Sequence, residues 1–482
     1  MKGSGRRDFL KGSACLGAMM CVGAAPAWAA ETASAPGRIV FSAEVPLLGE
    51  FDVAVFGAGP AGVGAAISAA RSGKRTILVE RYNFPGGVGA WGSMGIFFLF
   101  EDDSAHPTRQ IIRGLPDEVV RLLDRRDAAS MMRNNRCDEP TGEPIGDAPL
   151  LGKVGFKPEE LRLVYHDLLD AAGVRKLFMA QLAGVVADGR RVETAVVSCL
   201  EGLRAIRAKV FVDATGDAHL VHLAGGRTRQ ADPRETMHKS MFAELCGVKP
   251  HDLLANKRRY LELFKAGQMP EGSWARMGFM RFLEPDHVQL PVAYAVGDSC
   301  SSADMTRMDA ELRHLNKELL ALYRRELKGY ESAYLVNSSI QVASRDGRHA
   351  VGRKTLSRDY LMGETDAADG VLPIHRSWGL AHSVNQKQGF STKDSGHRKG
   401  LRLLPYGTLV SADFDNVLTA GRCLSATPDV LSSCRMMTTC MAMGQVAGTA
   451  GALALDRGLG DVGAVPHGEL VARLEAAGCV CR

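Results

Sequence analysis

The apolar run at residues 52–56 shows no polar alternation, the pattern of a parallel strand covered on both faces. A small-residue helix over residues 61–72 follows, and then a second apolar strand at residues 76–79. Farther along, apolar positions at helical spacing over residues 156–172 predict an amphipathic helix, with Pro158 and Glu159 in its first turn and Gly173 at its C-cap. Residues 174–186 and 191–198 read as strands joined by a turn at Asp188-Gly189, and residues 210–212 as another buried strand. Residues 225–369 mix amphipathic helices, clearest at 309–327, with irregular stretches. A last small-residue helix opens near Ser432, runs through Ala442 and Gly444 to about Leu455 and ends at Gly458. The charged segment 124–142 has neither period and holds Pro140 and Gly142, so a mobile surface excursion is expected there. Strands alternating with helices predict an α/β fold around a parallel sheet.

Between the first strand and its helix stand Gly57, Gly59 and Gly62, a G-x-G-x-x-G turn that includes Pro60 and Ala61. The first glycine permits the tight turn, the second lets backbone approach a pyrophosphate, and the third lets helix and strand pack closely. The helix offers unpaired N–H groups and a positive dipole end to phosphate. Glu80, closing the second strand, stands where a carboxylate accepts hydrogen bonds from both ribose hydroxyls. The same spacing recurs at Gly458, Gly460 and Gly463, but no strand precedes it and no helix follows, so it reads as a loop. One dinucleotide site is expected.

The formal net charge is +5, of which residues 1–29 carry +3, and the remaining small excess gives no reason to expect nucleic acid. Two of the eleven cysteines fall in that segment, and the other nine show no C-x-x-C, haem or iron–sulfur spacing. Electrons must then pass directly to substrates or to a separate carrier, and no metal ligand set is expected. Cys479 and Cys481 form a C-x-C pair at the C-terminus, where a frayed tail is expected over residues 461–482. At the other end, Ser4-Gly5-Arg6-Arg7-Asp8-Phe9-Leu10-Lys11, a weakly apolar run and Ala27-Trp28-Ala29 resemble a twin-arginine signal peptide, cleaved after Ala29. That resemblance implies dealings with the twin-arginine export machinery, which carries folded proteins, and a periplasmic or extracellular destination.

Beyond Glu80 the chain continues Arg81-Tyr82-Asn83-Phe84-Pro85-Gly86-Gly87-Val88-Gly89, with a second glycine turn at Gly86-Gly87. Later come Ala214-Thr215-Gly216-Asp217, the segment Phe414 to Thr427 containing Gly421-Arg422, which is similar to "NLLVAGRCISAT", and Ser433 to Gln445 containing Arg435, Met436 and Thr438, which is similar to "SVRVMPTCMALGQ". Together these blocks resemble bacterial single-cofactor FAD-dependent oxidoreductases of the glutathione-reductase-like superfamily, from about Asp52 to Leu455. The resemblance implies a Rossmann-like FAD-binding domain, a parallel sheet with helices plus a β-meander, assembled from residues 45–225 (with a variable excursion at 101–155) and 401–460. An inserted α+β substrate domain at 226–400 is implied between them. It assigns FAD contacts to Gly57, Gly59, Pro60, Ala61, Gly62, Glu80, Arg81, Gly86, Gly87, Val88, Ala214, Gly216, Asp217, Gly421, Arg422, Arg435, Met436 and Thr438. Many members place an aspartate where this chain has Arg422, so the ribityl contact is remade by backbone or by Asp429. A disulfide reductase would need a second nucleotide cradle and a redox cysteine pair; Cys434 and Cys440 read instead as buried structural thiols.

Residues 341–352, QVASRDGRHAVG, resemble the family's "RESRRIVG", with Arg345, Asp346 and Arg348 matching and His349 where another arginine usually stands. The exchange replaces a permanent cation by a group that titrates near neutrality and can move a proton. The plain alternative is a structural Arg345–Asp346 ion pair. His375 and Tyr406 fall where the family forms its substrate wall, and either can donate or accept a proton. His382 and the polar run 386–399 read as a loop over the pocket or as solvated surface. Two function classes follow: an exported flavoenzyme acting on a small organic substrate, with a quinone, oxygen or a soluble carrier as its electron partner, or a non-catalytic FAD-binding or electron-transfer protein.

Overall fold

The computed structural model describes residues 42–482 apart from 91, 93, 103, 105, 134–138, 142, 232–235, 275–279, 282–285, 380–395 and 482. The expected signal at 1–29, His382 and most of the run 386–399 lie outside the described residues. The chain enters through β1 (Leu47–Phe56), turns into α1 (Pro60–Arg71) and returns as β2 (Thr76–Val79). After a segment of short strands and a helix at Leu115–Asp124 come α2 (Pro158–Ala171) and β3 (Arg175–Leu177), then the meander β4 (Gln181–Asp188), β5 (Arg191–Cys199) and β6 (Gly202–Asp213). The expected strand at 174–186 is thus two strands. Met179 takes a left-handed φ of 54° between them, turning the chain from parallel pairing with β2 to antiparallel pairing with β5.

Residues 239–342 carry a hydrophobic core of their own. The antiparallel strands β7 (Lys239–Cys246), β8 (Val288–Ala295) and β9 (Tyr334–Ser338) run in the spatial order β8, β7, β9. The helices α3 (Leu253–Lys265) and α4 (Ser302–Glu326) lie beside them, and Met241, Leu245, Tyr260, Leu263, Met308, Leu312 and Leu319 fill the space between. Serine and aspartate caps start both helices: Asp252 accepts from the Ala255 N–H and Ser301 from the Asp304 N–H. Downstream, the hairpin of β10 (Gly370–Trp378) and β11 (Gly396–Pro405) returns to the main core through Leu372, Ile374 and Leu404. Gly396 to Lys399, read as a loop over the pocket or as solvated surface, belong to a strand, with His397, Arg398 and Lys399 exposed.

The last segment adds β12 (Val417–Thr419), parallel to β6, and α5 (Met437–Asp456). Residues 428–433 form a separate 3-10 turn, and Met436, in extended conformation, starts the helix proper; the expected start near Ser432 is five residues early. α5 crosses α1 at van der Waals distance. A Cβ on Gly444 would lie 1.9 Å from the Ala61 carbonyl oxygen, and one on Gly448 2.2 Å from that of Ala65, which is why this helix is built of small residues. Residues 461–482, expected to fray, instead fold into α6 (His467–Ala476), whose Leu470, Val471 and Leu474 join the main core together with Cys481. Within the expected excursion 124–142, Ala129–Arg133 form a strand paired with Val154–Phe156.

Register fixes where a site can form. Val79, Phe56, Asp213 and Thr419 are neighbours across four parallel strands, so Glu80, Gly57, Ala214 and Ala420 leave the sheet side by side at its carboxyl edge.

Candidate cofactor site and active centre

At that edge Gly57 turns with φ of 96°, and a Cβ there would lie 2.4 Å from the Ala214 carbonyl oxygen. A Cβ on Gly62 would lie 1.7 Å from the Gly57 oxygen, so both glycines are required by protein packing alone. Gly59 differs. It caps α1 with an ordinary φ of −68°, and its Cβ direction is open, the nearest atom being the Gly87 Cα at 4.0 Å. The space a side chain would fill there is the space a pyrophosphate needs. Pro60 takes the first helical position, where its missing N–H costs nothing, and Ala61 is buried behind it. Gly86 closes the second glycine turn onto the first by donating to the Ala58 carbonyl at 2.7 Å; Gly87 packs on Gly59, and Val88 lies half-buried in the following 3-10 turn.

The Glu80 carboxylate is held at the mouth of this cradle, accepting from the Ala58 N–H at 2.6 Å and the Tyr82 N–H at 3.1 Å. Arg81 reaches away from it, donating to Gln341 Oε1 at 2.7 Å and lying over the Tyr82 ring. An open step at Gly59 between a helix N-terminus and a fixed ribose acceptor fits FAD, and Gly57, Gly59, Glu80 and Gly87 are the residues that would hold it.

The opposite wall joins two distant loops. Ala214 donates to the Phe56 carbonyl at 2.9 Å, Gly216 turns with φ of 84°, and Asp217 takes both ends of the Arg422 guanidinium at 2.6 and 3.0 Å. Burial alone would raise the Asp217 pKa, but the Arg422 charge and hydrogen bonds hold it below the ordinary carboxylate value. Gly421, φ 84°, brings its own turn against Ala61. Arg422 is therefore spent on Asp217, while Asp429 accepts from the Thr427 hydroxyl through one of its two carboxylate oxygens.

The far end of the site lies at the N-terminus of α5. Its Ncap is Met436, with no side-chain cap and no acid in the first turn, and the Thr438 hydroxyl donates to the Phe98 carbonyl. Just before it, Arg435 has its Nε buried without a hydrogen-bond partner among the described residues. Arg345 lies over the Trp274 ring at 4.9 Å and, among the described residues, donates once, to the His238 carbonyl at 3.0 Å. Burial first, then the positive charge of Arg435, lowers its pKa. The alternative Arg345–Asp346 ion pair does not form. Asp346 instead accepts from His349 Nε2 at 3.0 Å, both side chains being almost fully buried at 0% and 2% exposure. Their other polar atoms, Asp346 Oδ2 and His349 Nδ1, have no partner among the described residues.

One of the expected catalytic residues, Tyr406, stands apart from this cluster. Tyr406 is buried with its hydroxyl donated to the Val462 carbonyl at 2.8 Å. Val462 in turn donates to Asp415, ahead of β12, so this phenol sits at the amino end of the parallel strands and is structural. Burial pushes its pKa up, away from proton transfer. His375 is buried on β10, its ring 6.4 Å from that of His397 on the paired strand. Cys434 and Cys440 are buried free thiols, the latter pushed up to about 12 by burial.

Lys239, on β7, was absent from the candidates. It is 1% exposed and, among the described residues, hydrogen-bonds only to Thr236 Oγ1 (2.8 Å) and the Met237 carbonyl (3.1 Å); burial lowers its pKa to about 8. A signal existed: Lys239 shares a period-two face with the buried Met241, Ala243 and Leu245. Its neighbour His238 stacks on Tyr294 at 3.9 Å and is pushed down by burial to about 4, which keeps it neutral.

A single dinucleotide cradle among the described residues, at the carboxyl edge of a parallel sheet with a meander, defines a flavin-binding α/β protein. The chain belongs to the FAD-dependent oxidoreductase family, whose description matches residues 52–474. FAD is its cofactor, and membership decides for an enzyme over a non-catalytic carrier. Solved structures with related folds include BexE (15% identity, TM-score 0.46, covering 89% of this chain and 69% of that one). A geranylgeranyl bacteriochlorophyll reductase-like protein from Thermoplasma acidophilum (12%, 0.45, 89% and 82%) and the flavin-dependent brominase Bmp2 (15%, 0.44, 89% and 84%) are similar to it at the same level.

Proposed function

We propose that the chain is an exported flavoenzyme that moves hydride between FAD and a small organic molecule and exchanges electrons with a quinone, oxygen or a soluble carrier. The observation that carries this reading is the pair Arg345 and Arg435, two guanidiniums that form no salt bridge among the described residues, beside an acid-free helix N-terminus; the acid whose charge Arg435 feels is the buried Asp346. Positive charge fixed in a half-buried place is useful where a cofactor or substrate takes on negative charge. When bound, FAD supplies the hydride chemistry. Glu80 accepts from the ribose, and the first N–H groups of α1 face the pyrophosphate across Gly59. The α5 N-terminus and Arg435 oppose negative charge at the other end of the cofactor. Lys239 is a buried cation whose pKa burial lowers to about 8, and Asp346 fixes the His349 ring.

Anaerobic photoreduction of the purified protein, followed by a screen for metabolites that reoxidise it, tests the enzyme reading. A flavin that no organic metabolite reoxidises or rereduces counts against it. Export rests on residues 1–29. Arg6→Lys with Arg7→Lys should leave an uncleaved, flavin-loaded precursor in the cytoplasm, and normal processing of that variant would sink the export proposal.

A further inference from the structure

We propose that the substrate of this oxidoreductase is a carboxylate, held by the guanidinium of Arg345 against Trp274 and the His238–Tyr294 stack, with Arg435 as the second positive charge. The inference rests on the oxidoreductase reading above and adds the substrate class. Its starting point is an imbalance of charge. Guanidiniums in a half-buried setting are ordinarily matched by carboxylates. Arg422, close by, obeys that rule through its two bonds to Asp217. Arg345 and Arg435 do not, since neither forms a salt bridge among the described residues. The nearest acid in sequence, Asp346, bonds His349 through one oxygen; its charge is felt by Arg435, but it forms no salt bridge with either arginine among the described residues.

The two arginines come from opposite sides of the site. Arg435 precedes α5, in the cofactor-binding part of the chain, and so lies on the flavin side. Arg345 leans on Trp274, whose neighbour Ser273 bridges to Ala293 of β8, and so belongs to the sheet that covers the cofactor part. Stacking on the ring fixes the guanidinium plane through its face. One Nη1 bond to the His238 carbonyl anchors one edge and leaves other N–H groups available for a two-point carboxylate contact. His238 and Tyr294, parallel to within 4°, add a second aromatic surface. A neutral His238 brings no positive charge of its own, while the Lys239 ammonium next to it adds a third positive charge to this side of the site. Both arginines are intermediate in exposure.

The test uses FAD-loaded protein and a matched pair of probes, benzoate and its uncharged analogue benzamide, titrated against the visible spectrum of the flavin. Benzoate is expected to perturb the spectrum at least about tenfold more tightly than benzamide, the scale of a lost charge-assisted contact. Arg345→Met should lose that tenfold preference while keeping its FAD content and melting temperature, and Arg345→Lys should recover only part of it. Equal binding of the two probes by the wild type, or no perturbation by benzoate, overturns the proposal without any variant; so does unchanged benzoate binding in a flavinated Arg345→Met. The two readings fail separately. If an uncharged metabolite is what reoxidises the photoreduced protein, the carboxylate inference falls and the oxidoreductase reading stands; if nothing reoxidises it, the latter falls whatever benzoate does.

Discussion

Asp217 and Arg422, 205 positions apart, clasp each other through two hydrogen bonds of 2.6 and 3.0 Å and tie the loop after β6 to the loop after β12. Two glycines make room for the pair: a Cβ on Gly347 would lie 2.0 Å from Asp217 Oδ1, and one on Gly216 2.9 Å from Arg422 Nη2. Asp217→Asn or Arg422→Gln should each cost about 3 kcal/mol, because each leaves the other charge without its partner in a desolvated place. The double variant should cost clearly less than the two singles added together. Denaturant unfolding of all three variants checks this, and strict additivity would mean that the pair contributes nothing as a pair.

Gly59 and Gly62 answer to different demands. Gly59→Ala has an ordinary φ and open space, so it should fold with a near-native melting temperature of the apoprotein and lose most of its FAD. Gly62→Ala, with 1.7 Å to a backbone oxygen, should fail to fold or lose several kcal/mol, about 3 or more. Flavin absorbance and circular dichroism on both variants separate the cases. Glu80→Ala belongs with Gly59→Ala, folded and largely colourless.

Arg435→Ala should keep FAD and lower its two-electron potential, since one positive charge is removed beside the α5 N-terminus. The effect should be roughly 0.3–2 kcal/mol, together with a weaker sulfite adduct. Redox titration reads it directly, and an unchanged potential in a fully flavinated variant removes Arg435 from the site.

His238 gives acid sensitivity of a definite sign. Its folded pKa, about 4, lies below the ordinary 6.5, so the unfolded chain takes up the proton first. The contribution is fully present above pH 6.5 and is lost as pH falls toward 4, up to about 3 kcal/mol. Melting temperatures between pH 7.5 and about 4.5 should drop less steeply in His238→Gln than in wild type. Equal slopes would assign the acid sensitivity elsewhere.

Lys239→Met removes a buried ammonium that has only two hydrogen-bond acceptors and no salt bridge among the described residues. Stability at pH 7 should rise by about 1–3 kcal/mol. The pH dependence of the flavin potential should lose an inflection near 8. A less stable variant would show that the ammonium is better satisfied than its two hydrogen bonds imply.

The cradle was legible because everything it needs is local: a covered strand, three glycines at fixed offsets, a helix and an acid one strand later. These depend on backbone sterics and side-chain period, which a sequence states outright. The meander and the amphipathic helices were readable for the same reason, with boundaries moved where one residue changed the backbone, as Met179 does with φ of 54°. The tail was misjudged as frayed because its period is short, and only the core that Leu470 and Leu474 enter rewards it.

What the sequence by itself determined, then, is that the chain binds a dinucleotide, and which glycine turns build the cradle shaped for one. Tertiary structure alone decided which polar side chains have partners. Arg345, Asp346 and His349 stand within five positions, yet Asp346 turns to His349 and leaves Arg345 to Trp274. Tyr406 spends its hydroxyl on Val462, and Lys239 is buried by strands that pair across about fifty residues, Lys239 lying opposite Ala295. Hydrogen bonds and ion pairs are short-ranged and directional, so their partners are set by how distant segments pack, which no local pattern encodes.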